Sequence, residues 1–433
     1  MAKKVIIIGA GPSGVLLAHY LLRRGENYQV DIYERRSDPR VIPFSKSRTF
    51  PITLSQRGIK ALRKIEGLEE AVKAISLEVT GTIIHQKNGK TSLIARQKPL
   101  VSLDRTRLAI ALLENLTQKY DDSRLNIHFN CECTQVDFAE KQVKFQNTET
   151  KVDFTVDYDL LVGADGARSA VRESFLSIEN FECQQKYVPS AYKSIFLPSG
   201  NNSEINLQPG KIHSWRLDDT TSVLLLYQPD ETISGVVTFP YKQNQVVSLS
   251  NAQEVLKFFH QNFPEVGYLM PTSEAEAFVT RTVSRILTIR CNRFHQGDST
   301  LLIGDAAHAV SPSLGQGCNA ALEDVVIFDQ ILDENSDSLA EAVEQFSVRR
   351  FPDVHALVEM SDYAFPLSKR LFIEFVLRQR IAKVLHRLFP KHFLPSLFEV
   401  ISEDTNSYSQ VLNYYKDWIA KVKESNKKLT AST

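Results

Sequence analysis

Three observations predict that the chain adopts an α/β fold that begins with a Rossmann-like unit. Residues 5–8 form a short β-branched run, which is typical of a strand buried on both faces. The glycine-rich string GAGPSG follows this run, and residues 15–22 then show helical periodicity. A second strand is predicted over residues 29–33, and Glu34 comes directly after it. The order strand, glycine turn, helix and strand is that of a dinucleotide-binding βαβ unit.

Gly9, Gly11 and Gly14 have separate expected roles in this unit. Gly9 permits the tight turn, Gly11 lets a pyrophosphate approach the backbone, and Gly14 lets the helix pack on the strand. Glu34 lies 20 residues after Gly14, where a carboxylate accepts hydrogen bonds from the ribose hydroxyls of an adenosine. The sequence therefore predicts binding of FAD or NAD. The alternative is that Glu34 is a solvated residue at the end of a strand.

The next elements are predicted from alternation and turn residues. Residues 80–86 and 91–95 alternate like the two strands of a hairpin. Residues 125–129, 134–138 and 142–146 are predicted to form a small meander. Short β runs separated by turns continue from about residue 181 to residue 287 and predict a second sheet, which is the expected substrate domain.

A helix is predicted from an N-cap at Asp104 to about Tyr120, with Arg105 and Arg107 in its first turn. Two cations at a helix start oppose the helix dipole. We therefore expect them to meet an anion, the alternative being that they are ordinary exposed arginines.

Two further strings follow predicted buried strands. Residues 158–162 lead into GADGARS, and residues 301–303 lead into an acidic turn, a bend with a proline and a helix that opens with Gly315, Gln316 and Gly317. The free backbone N–H groups and the positive dipole end of such a helix attract electron-rich or anionic atoms. Glycines also let a flat ring system lie against the backbone.

These three motifs, in this order, resemble the flavin-binding motifs of the FAD-dependent aromatic hydroxylases. They are GxGxxG with Glu34, GADGARSAVR, and GDAAHAVSPSLGQGCN. The resemblance implies a glutathione-reductase-type FAD-binding domain with an inserted β-sheet substrate domain and a C-terminal helical region. It implies cofactor-binding roles for Gly9, Gly11, Gly14, Glu34, Arg35, Arg105, Cys133, Asp165, Gly304, Asp305, Gly317, Cys318 and Asn319.

The same resemblance implies the reaction and the residues beside it. NAD(P)H reduces FAD, the reduced flavin traps O₂ as a C4a-hydroperoxide, and the distal oxygen passes to an electron-rich aromatic ring. Pro312, Gly315, Gln316 and Gly317 are expected beside the reacting atoms. His308 is a candidate general base, but its position within a loop motif favours a structural role. The chain has no second GxGxxG, so NADPH or NADH is expected to dock transiently.

Over nearly its whole length the sequence resembles the kynurenine 3-monooxygenases of that family. The matching strings are SRTFPITLSQRGIKAL, IIHQKNGKTSLI, LVGADGARSAVR, LLIGDAAHAVSPSLGQGCNAALEDVVIFD and the terminal YSQVLNYY. Departures lie where that family holds its substrate. The family's carboxylate-binding arginine falls on Thr82, a tyrosine falls on Arg96, and an asparagine falls near Arg380, while its C-terminal tyrosine is matched by Tyr408. Two aromatic residues after the motif proline are Ser313 and Leu314 here.

These departures predict a wider and more cationic pocket in which L-kynurenine is a poor substrate. Arg96 offers a bidentate fork to a carboxylate from another direction, which a tyrosine does not. A buried guanidinium is costly without an anion, so at least one of Arg96 and Arg380 is expected to meet a substrate carboxylate or a protein acid.

Other reactions remain open on the same scaffold. A halogenase usually carries a Trp-x-Trp-x-Ile-Pro string, whereas the only tryptophans here are Trp215 and Trp418. An FAD-dependent reductase would consume NAD(P)H without O₂. A catalytically idle flavin-binding protein is the remaining alternative, and the intact motifs argue against it.

The amino-acid composition argues against several classes of partner and site. The chain has 51 basic and 51 acidic residues, so a nucleic-acid partner is not suggested. Its five cysteines lack metal or disulfide spacing, which favours a reducing, cytoplasmic setting and no metal site. We expect no signal peptide and no transmembrane segment. The oligomeric state is left open.

The predicted helix over residues 368–388 combines apolar residues with six lysines and arginines. It is interpreted either as a membrane-surface helix or as a helix packed on the domain with solvated cations, and the second interpretation is favoured.

The predicted organisation is an FAD-binding domain over residues 1–180, with part of the substrate sheet inserted near 75–103. A substrate-domain sheet over 181–287, a second flavin-binding segment over 288–335 and a C-terminal helical region over 336–433 follow.

Overall fold

The computed structural model describes residues 2–42, 49–199, 207–242, 244–403 and 406–431. Its strands are β1 (Lys3–Ile8), β2 (Tyr28–Tyr33), β3 (Pro51–Leu54), β4 (Leu77–His85), β5 (Thr91–Asp104), β6 (Leu125–His128), β7 (Cys131–Asp137), β8 (Gln142–Asn147), β9 (Asp153–Asp157), β10 (Leu160–Gly163), β11 (Cys183–Leu197), β12 (Lys211–Arg216), β13 (Ser222–Tyr227), β14 (Ile233–Pro240), β15 (Ser284–Cys291), β16 (His295–Gln296) and β17 (Thr300–Leu302).

The helices are α1 (Pro12–Leu22), α2 (Gln56–Arg63), α3 (Leu68–Ala74), α4 (Arg105–Lys119), α5 (Ala170–Phe175), α6 (Gln245–Ser248), α7 (Ala252–Asn262), α8 (Pro264–Leu269), α9 (Thr272–Thr280), α10 (Asp305–His308), α11 (Gly317–Glu334), α12 (Leu339–Asp362), α13 (Lys369–Leu388), α14 (Leu397–Ser402) and α15 (Tyr408–Ala431). A short 3₁₀ helix, Pro312–Leu314, precedes α11.

A sheet with the strand order β16-β17-β10-β1-β2-β6 forms the first layer of the described part of the chain. All neighbouring pairs are parallel except the edge pair β16 and β17. Ile8 pairs with Gly163, and Gly163 pairs with Leu302. Because these strands are parallel and in register, the three motif segments leave the sheet at the same edge, which is where α/β sheets bind ligands.

The predicted meander is wrong in its first strand. β6 pairs in parallel with β2, and the backbone N–H of Val30 donates to Arg124 O. The three-stranded sheet is instead β7-β8-β9, and its last strand was not predicted. The physical reason is that β6 follows a helix, α4, and a strand that follows a helix can return to a parallel sheet. Alternation along a strand does not identify its partner.

The second large sheet has the order β15-β11-β14-β13-β12-β4-β5-β3 among the described residues. The predicted hairpin of β4 and β5 is confirmed. The sheet combines strands from both halves of the chain, because β12 pairs in parallel with β4. Its buried face packs on α7, α8 and α9 around residues such as Phe259 and Phe278. The mixed α/β fold predicted from the sequence is therefore confirmed.

The described residues beyond α11 contain the helices α12, α13, α14 and α15. α12, α14 and α15 share a core around Leu357, Ile401 and Tyr408, to which the buried Phe375 of α13 also belongs. No helix in the described ranges has the length and apolar character required to cross a bilayer.

Candidate active site

The turn after β1 is built on two glycines that cannot carry a side chain. Gly9 has φ +107°, and a Cβ atom there would lie 2.6 Å from Ala164 O, in the motif that follows β10. A Cβ on Gly14 would lie 2.3 Å from Gly9 O. These contacts are closer than van der Waals packing allows. Gly9 and Gly14 therefore serve close packing of the first two motifs and of α1 on β1.

Gly11 differs from both, because space is open beside it. The nearest atoms to an added Cβ are Ala164 O and Arg105 Nη2, each at 4.0 Å. Gly11 is the N-cap of α1, with φ −77°, and no side chain caps the helix start. Arg105 is the first residue of α4, whose N-cap carboxylate, Asp104, accepts from Thr106 N–H at 2.7 Å. An open backbone, a helix N-terminus and a guanidinium together suit a pyrophosphate.

The other cation of this turn, Arg107, has an anion. Its Nη2 lies 2.5 Å from Oδ2 of Asp230. The expectation of an anion is thus met within the protein for Arg107, while Arg105 faces the Gly11 turn.

Glu34 reaches the same turn from the end of β2. Its Oε2 accepts from Ala10 N–H at 3.1 Å, and its Oε1 accepts from Arg36 N–H at 3.0 Å. Each carboxylate oxygen has further acceptor capacity, and the residue is only partly buried. Arg35 is exposed beside it. The structure thus brings Glu34 to the glycine turn and leaves Arg35 at the rim.

Asp165, in the second motif, has an acceptor atom without a partner. Its Oδ2 accepts from Ala170 N–H at 2.7 Å, whereas its buried Oδ1 has no hydrogen-bond partner in the described residues. Burial raises the pKa of Asp165. Cys133 lies close by, and burial, assisted by the charge of Asp165, raises the pKa of its thiol to about 12. The unused acceptor suits a hydroxyl donor from a ligand.

Gly304 and Asp305 join the third motif to the first. Gly304 has φ +58°, and a Cβ there would lie 3.0 Å from Ser13 Oγ, in the first turn of α1. Its N–H donates to Asp324 Oδ2 at 2.7 Å. Asp305 is exposed and begins α10. Burial, assisted by the charge of Asp305, raises the pKa of both Cys318 and Tyr192.

His308 is held in a buried charge network. Its Nε2 lies 2.6 Å from Asp324 Oδ2, and Arg350 Nε donates to Asp324 Oδ1 at 2.7 Å. Burial opposes ionisation of Asp324, but the charges of His308 and Arg350 lower its pKa. The ring of His308 is thereby engaged in fixing α10 against α11 and α12, which supports the structural role rather than that of a general base.

The start of α11 also offers free donors. Gly315 has φ +65°, and the N-cap Gln316 makes no side-chain cap. Gln316 Oε1 instead accepts from Tyr408 OH at 3.2 Å. Burial raises the pKa of Cys318 to about 12, with the charge of Arg105 acting in the opposite direction. Arg105 therefore lies beside Gly11 and acts electrostatically on the start of α11.

Asn319 has less freedom than the sequence suggested. Its Nδ2 donates to Thr53 O and Gly315 O, both at 3.0 Å, and its Oδ1 accepts from Ser55 N–H at 2.8 Å. The side chain is fully buried and joins α11 to β3 and α2. Only its backbone N–H remains for a cofactor.

The residues around the 3₁₀ helix face different ways. Pro312 is exposed at its start. Ser313 Oγ donates to Ser361 O on α12 at 2.6 Å, and Leu314 is buried in the core that α12 and α15 share. Tyr408, besides its bond to Gln316, is fully buried in that core. Ser313, Leu314 and Tyr408 thus hold the α11 start against the C-terminal helices.

Thr82 and Arg96 lie on β4 and β5 of the second sheet. Thr82 pairs with Ile94. The register shifts beyond Ala95, so that Arg96 lies in a bulge and lines a cleft with Gln56, Glu399 and Glu403. Its Nε is buried without a partner in the described residues.

Burial lowers the pKa of Arg96, and the charge of Glu399 opposes this effect. Arg96 and Glu399 thus lie together, whereas Arg380 is exposed on α13 and makes no hydrogen bond or ion pair with any described residue.

The structure adds two residues that the sequence interpretation missed. Tyr192, on β11, is influenced by the charges of Arg105 and Asp305, and burial raises its pKa. Tyr192 belongs to none of the three motifs, and it reaches this site only through the strand pairing of β11. Arg57 is buried, binds Glu323 at 2.6 Å, and lies 4.3 Å from the ring of Tyr408. Arg57 could have been found from the sequence, because it belongs to the string SRTFPITLSQRGIKAL, which carries part of the family resemblance. Ser47 and Arg48 of that string lie outside the described residues.

Comparison with known proteins agrees with this geometry. A family model described as an FAD binding domain matches residues 2–350. Kynurenine 3-monooxygenase of Drosophila willistoni is 32% identical over 420 residues, covering 95% of this chain and 89% of its own length. Kynurenine 3-monooxygenase of Sus scrofa is 29% identical over 425 residues, covering 96% and 87%.

Solved structures share the fold at lower identity. A 2-methyl-3-hydroxypyridine-5-carboxylic acid oxygenase superposes with a TM-score of 0.69 at 21% identity, over 84% of this chain and 91% of its own. A tetracycline destructase superposes with a TM-score of 0.64 at 17% identity, over 94% and 99%.

Proposed function

Because the chain belongs to the FAD-binding monooxygenase family that includes the kynurenine 3-monooxygenases, we propose that it is an NAD(P)H-consuming aromatic hydroxylase. It inserts one oxygen atom of O₂ into an aromatic substrate. The observation that carries this proposal is that the three motifs leave the parallel sheet at one edge and pack against one another there, with the open backbone of Gly11 and the guanidinium of Arg105 beside them.

The residues present fit FAD. The open space at Gly11 and the guanidinium of Arg105 suit its pyrophosphate, and Glu34 has acceptor capacity for ribose hydroxyls. The unpartnered Oδ1 of Asp165 suits a hydroxyl donor of the ribityl chain. Gly304 and Asp305 line the approach to this FAD site. When bound, FAD accepts a hydride from NADPH or NADH and activates O₂.

The protein's own contribution at the ring is electrostatic. The backbone N–H groups at Gly317, Cys318 and Asn319 are oriented by α11 before any ligand arrives, because Gln316 and Asn319 are locked by side-chain hydrogen bonds. Donors fixed in this way stabilise negative charge that develops on the flavin without reorganisation. Pro312 and Gly315 would then lie at the edge nearest the substrate.

No base on the protein is assigned to the substrate. His308 is held by Asp324 inside the fold. Tyr192, on β11 of the substrate sheet, is influenced by the charge of Asp305 in the third motif, and the raised pKa keeps its hydroxyl a neutral donor. We assign Tyr192 to orienting a substrate oxygen, while the reactivity of the ring comes from its own electron-donating substituent.

The substrate we propose is an aromatic acid other than L-kynurenine. Thr82 stands where the family resemblance places a carboxylate-binding arginine, and Ser313 and Leu314 contact the C-terminal helices. Arg96 lies in a cleft beside Glu399, which already offsets part of its charge. A pocket with one partly neutralised arginine favours a single carboxylate over the amino-acid group of kynurenine.

The test is turnover with isotope labelling. Purified protein should contain about one FAD per chain, oxidise NADPH or NADH slowly alone, and accelerate with the correct aromatic acid while one atom of ¹⁸O₂ enters the product. Oxidation that needs no O₂ would indicate a reductase, and halide incorporation a halogenase. Bound FAD without turnover on a broad panel of aromatic acids would indicate an idle flavin-binding protein. A panel that includes L-kynurenine tests the substrate proposal separately.

A further inference from the structure

Helix α13 presents a continuous apolar stripe to solvent. Ile373, Leu377, Ile381, Val384 and Leu388 are each more than half exposed. Their spacing of three or four residues places them on one face of a helix. The stripe continues beyond the helix end, where the exposed apolar side chains are Phe389, Phe393 and Leu394. We call these eight residues the α13 stripe.

Contacts made by other faces of α13 fix this orientation. Phe375 is buried and contacts the rings of Phe365 and Trp418, with centroids 5.5 Å and 6.2 Å away. Glu374 binds Lys421 of α15 at 2.8 Å. Lys383 Nζ donates to Ala95 O of β5 at 2.7 Å. These contacts hold the helix on the domain with the stripe facing solvent.

Cations surround the stripe. The segment 367–394 contains seven lysines and arginines and one acid, Glu374, which gives a formal charge of +6 while the whole chain is neutral. At 100° per residue, Arg380 and Arg387 project on one flank of the stripe, and Arg378 projects on the other, where it forms an ion pair with Glu374 at 2.9 Å. The combination of an exposed apolar face with flanking cations is that of a helix lying in a membrane interface.

We infer that the α13 stripe docks the protein on an anionic lipid surface, with its apolar side chains in the acyl boundary and its cations at the headgroups. The positive charge of the segment favours an anionic membrane over a second copy of the chain as the binding partner. Two copies of a segment carrying +6 would repel one another across a shared apolar seam, whereas an anionic leaflet attracts each cation. The helix packs on the domain and most of its cations are exposed, as the interpretation favoured from the sequence expected, and the structure adds an exposed apolar face beside those cations.

Flotation of the full-length, FAD-loaded protein with vesicles tests the inference. One vesicle set is phosphatidylcholine alone, and the other is an equal mixture with phosphatidylglycerol. Binding to the mixed vesicles, but not to the neutral ones, is expected, and it should weaken as salt screens the charges. Val384→Asp should lower the partition coefficient about tenfold or more, because one apolar anchor is lost and a like charge is added.

Val348→Asp is the matched control. Val348 is an exposed helical valine on α12, outside the stripe, and its substitution should leave partitioning unchanged. Arg387→Gln with Lys391→Gln should weaken binding to the anionic vesicles severalfold. FAD content and the unfolding temperature verify that each variant is folded.

Three outcomes would overturn the inference. The first is no flotation of the folded wild-type protein with anionic vesicles at low salt. The second is equal loss in Val384→Asp and Val348→Asp. The third is a dimer in solution, abolished by Val384→Asp and unaffected by vesicles, which would assign the stripe to a second copy of the chain.

Discussion

A single methyl group at Gly11 and at Gly14 should have opposite consequences, although both glycines belong to one motif. At Gly14 the new Cβ would lie 2.3 Å from Gly9 O, whereas ordinary contact begins near 3.4 Å. The turn must therefore move by about 1 Å, and overpacking of this kind costs about 1–3 kcal/mol. Gly14→Ala is thus expected to destabilise the apoprotein, with the intrinsic helix preference of alanine offsetting about 1 kcal/mol at most.

At Gly11 the same methyl group meets nothing closer than 4.0 Å, and the backbone angle is one that any residue adopts. The free energy of unfolding of the apoprotein should therefore stay the same or rise by about 0.4–1 kcal/mol. The methyl group does occupy the space assigned to the pyrophosphate. Loss of one charge-assisted hydrogen bond there is worth roughly 1.5–3 kcal/mol, or about ten- to a hundredfold in the Kd of FAD.

Urea unfolding of the two apoproteins and FAD titration by flavin fluorescence separate the two effects. Gly11→Ala should show weak FAD binding on a stable apoprotein, and Gly14→Ala should show a lowered unfolding midpoint. Wild-type FAD affinity in a stable Gly11→Ala protein would refute the assignment of this turn to the pyrophosphate.

Three further predictions concern charge. Asp324→Ala removes the shared partner of His308 and Arg350 and should lower the free energy of unfolding by roughly 3–5 kcal/mol, measured by urea denaturation. Burial lowers the pKa of His19 from 6.5 to about 4, so its contribution is complete above pH 6.5 and is lost as the pH falls toward 4, by roughly 3 kcal/mol at most; His19→Gln should flatten this part of the stability profile. Arg96→Ala should raise the KM for the preferred aromatic acid about ten- to a hundredfold and leave kcat nearly unchanged in steady-state assays.

Each has a result that contradicts it. Wild-type stability of Asp324→Ala would mean that the buried network is not needed for folding. Equal acid sensitivity of the wild type and His19→Gln would place the effect on other groups. An unchanged KM in Arg96→Ala, accompanied by lower stability, would mean that Arg96 serves Glu399 alone.

The sequence predicted the first sheet well where a motif fixed both the element and its place. The strands before the three motifs were recognisable because each is a short apolar run that ends in glycine or an acid, and parallel pairing then brought their ends together. β6 was misplaced because its residues show alternation but not a partner. Tyr192 was missed for the same reason, since its place beside Arg105 depends on a strand order that no local pattern records.

The directions in which side chains point were also not predictable from the sequence. Asn319 and Leu314 lie in the motif expected to hold the cofactor, yet the structure turns the first toward β3 and the second toward α12. Helical periodicity located α13 correctly but could not say which of its faces packs on the protein. That choice depends on tertiary contacts of Phe375 and Glu374 with residues more than 40 positions later.

The parallel pairing of β4 with β12 has a consequence for synthesis of the chain. About 125 residues separate the two strands in sequence. At roughly 5–20 residues per second a ribosome needs about 6 to 25 s to add them, and during that interval one edge of the β4–β5 hairpin has no strand beside it. Unprotected edges of this kind recruit other chains. Slow translation or weakened strands in the second half should therefore reveal themselves as nascent chains bound to chaperones, before any defect in the finished protein can be measured.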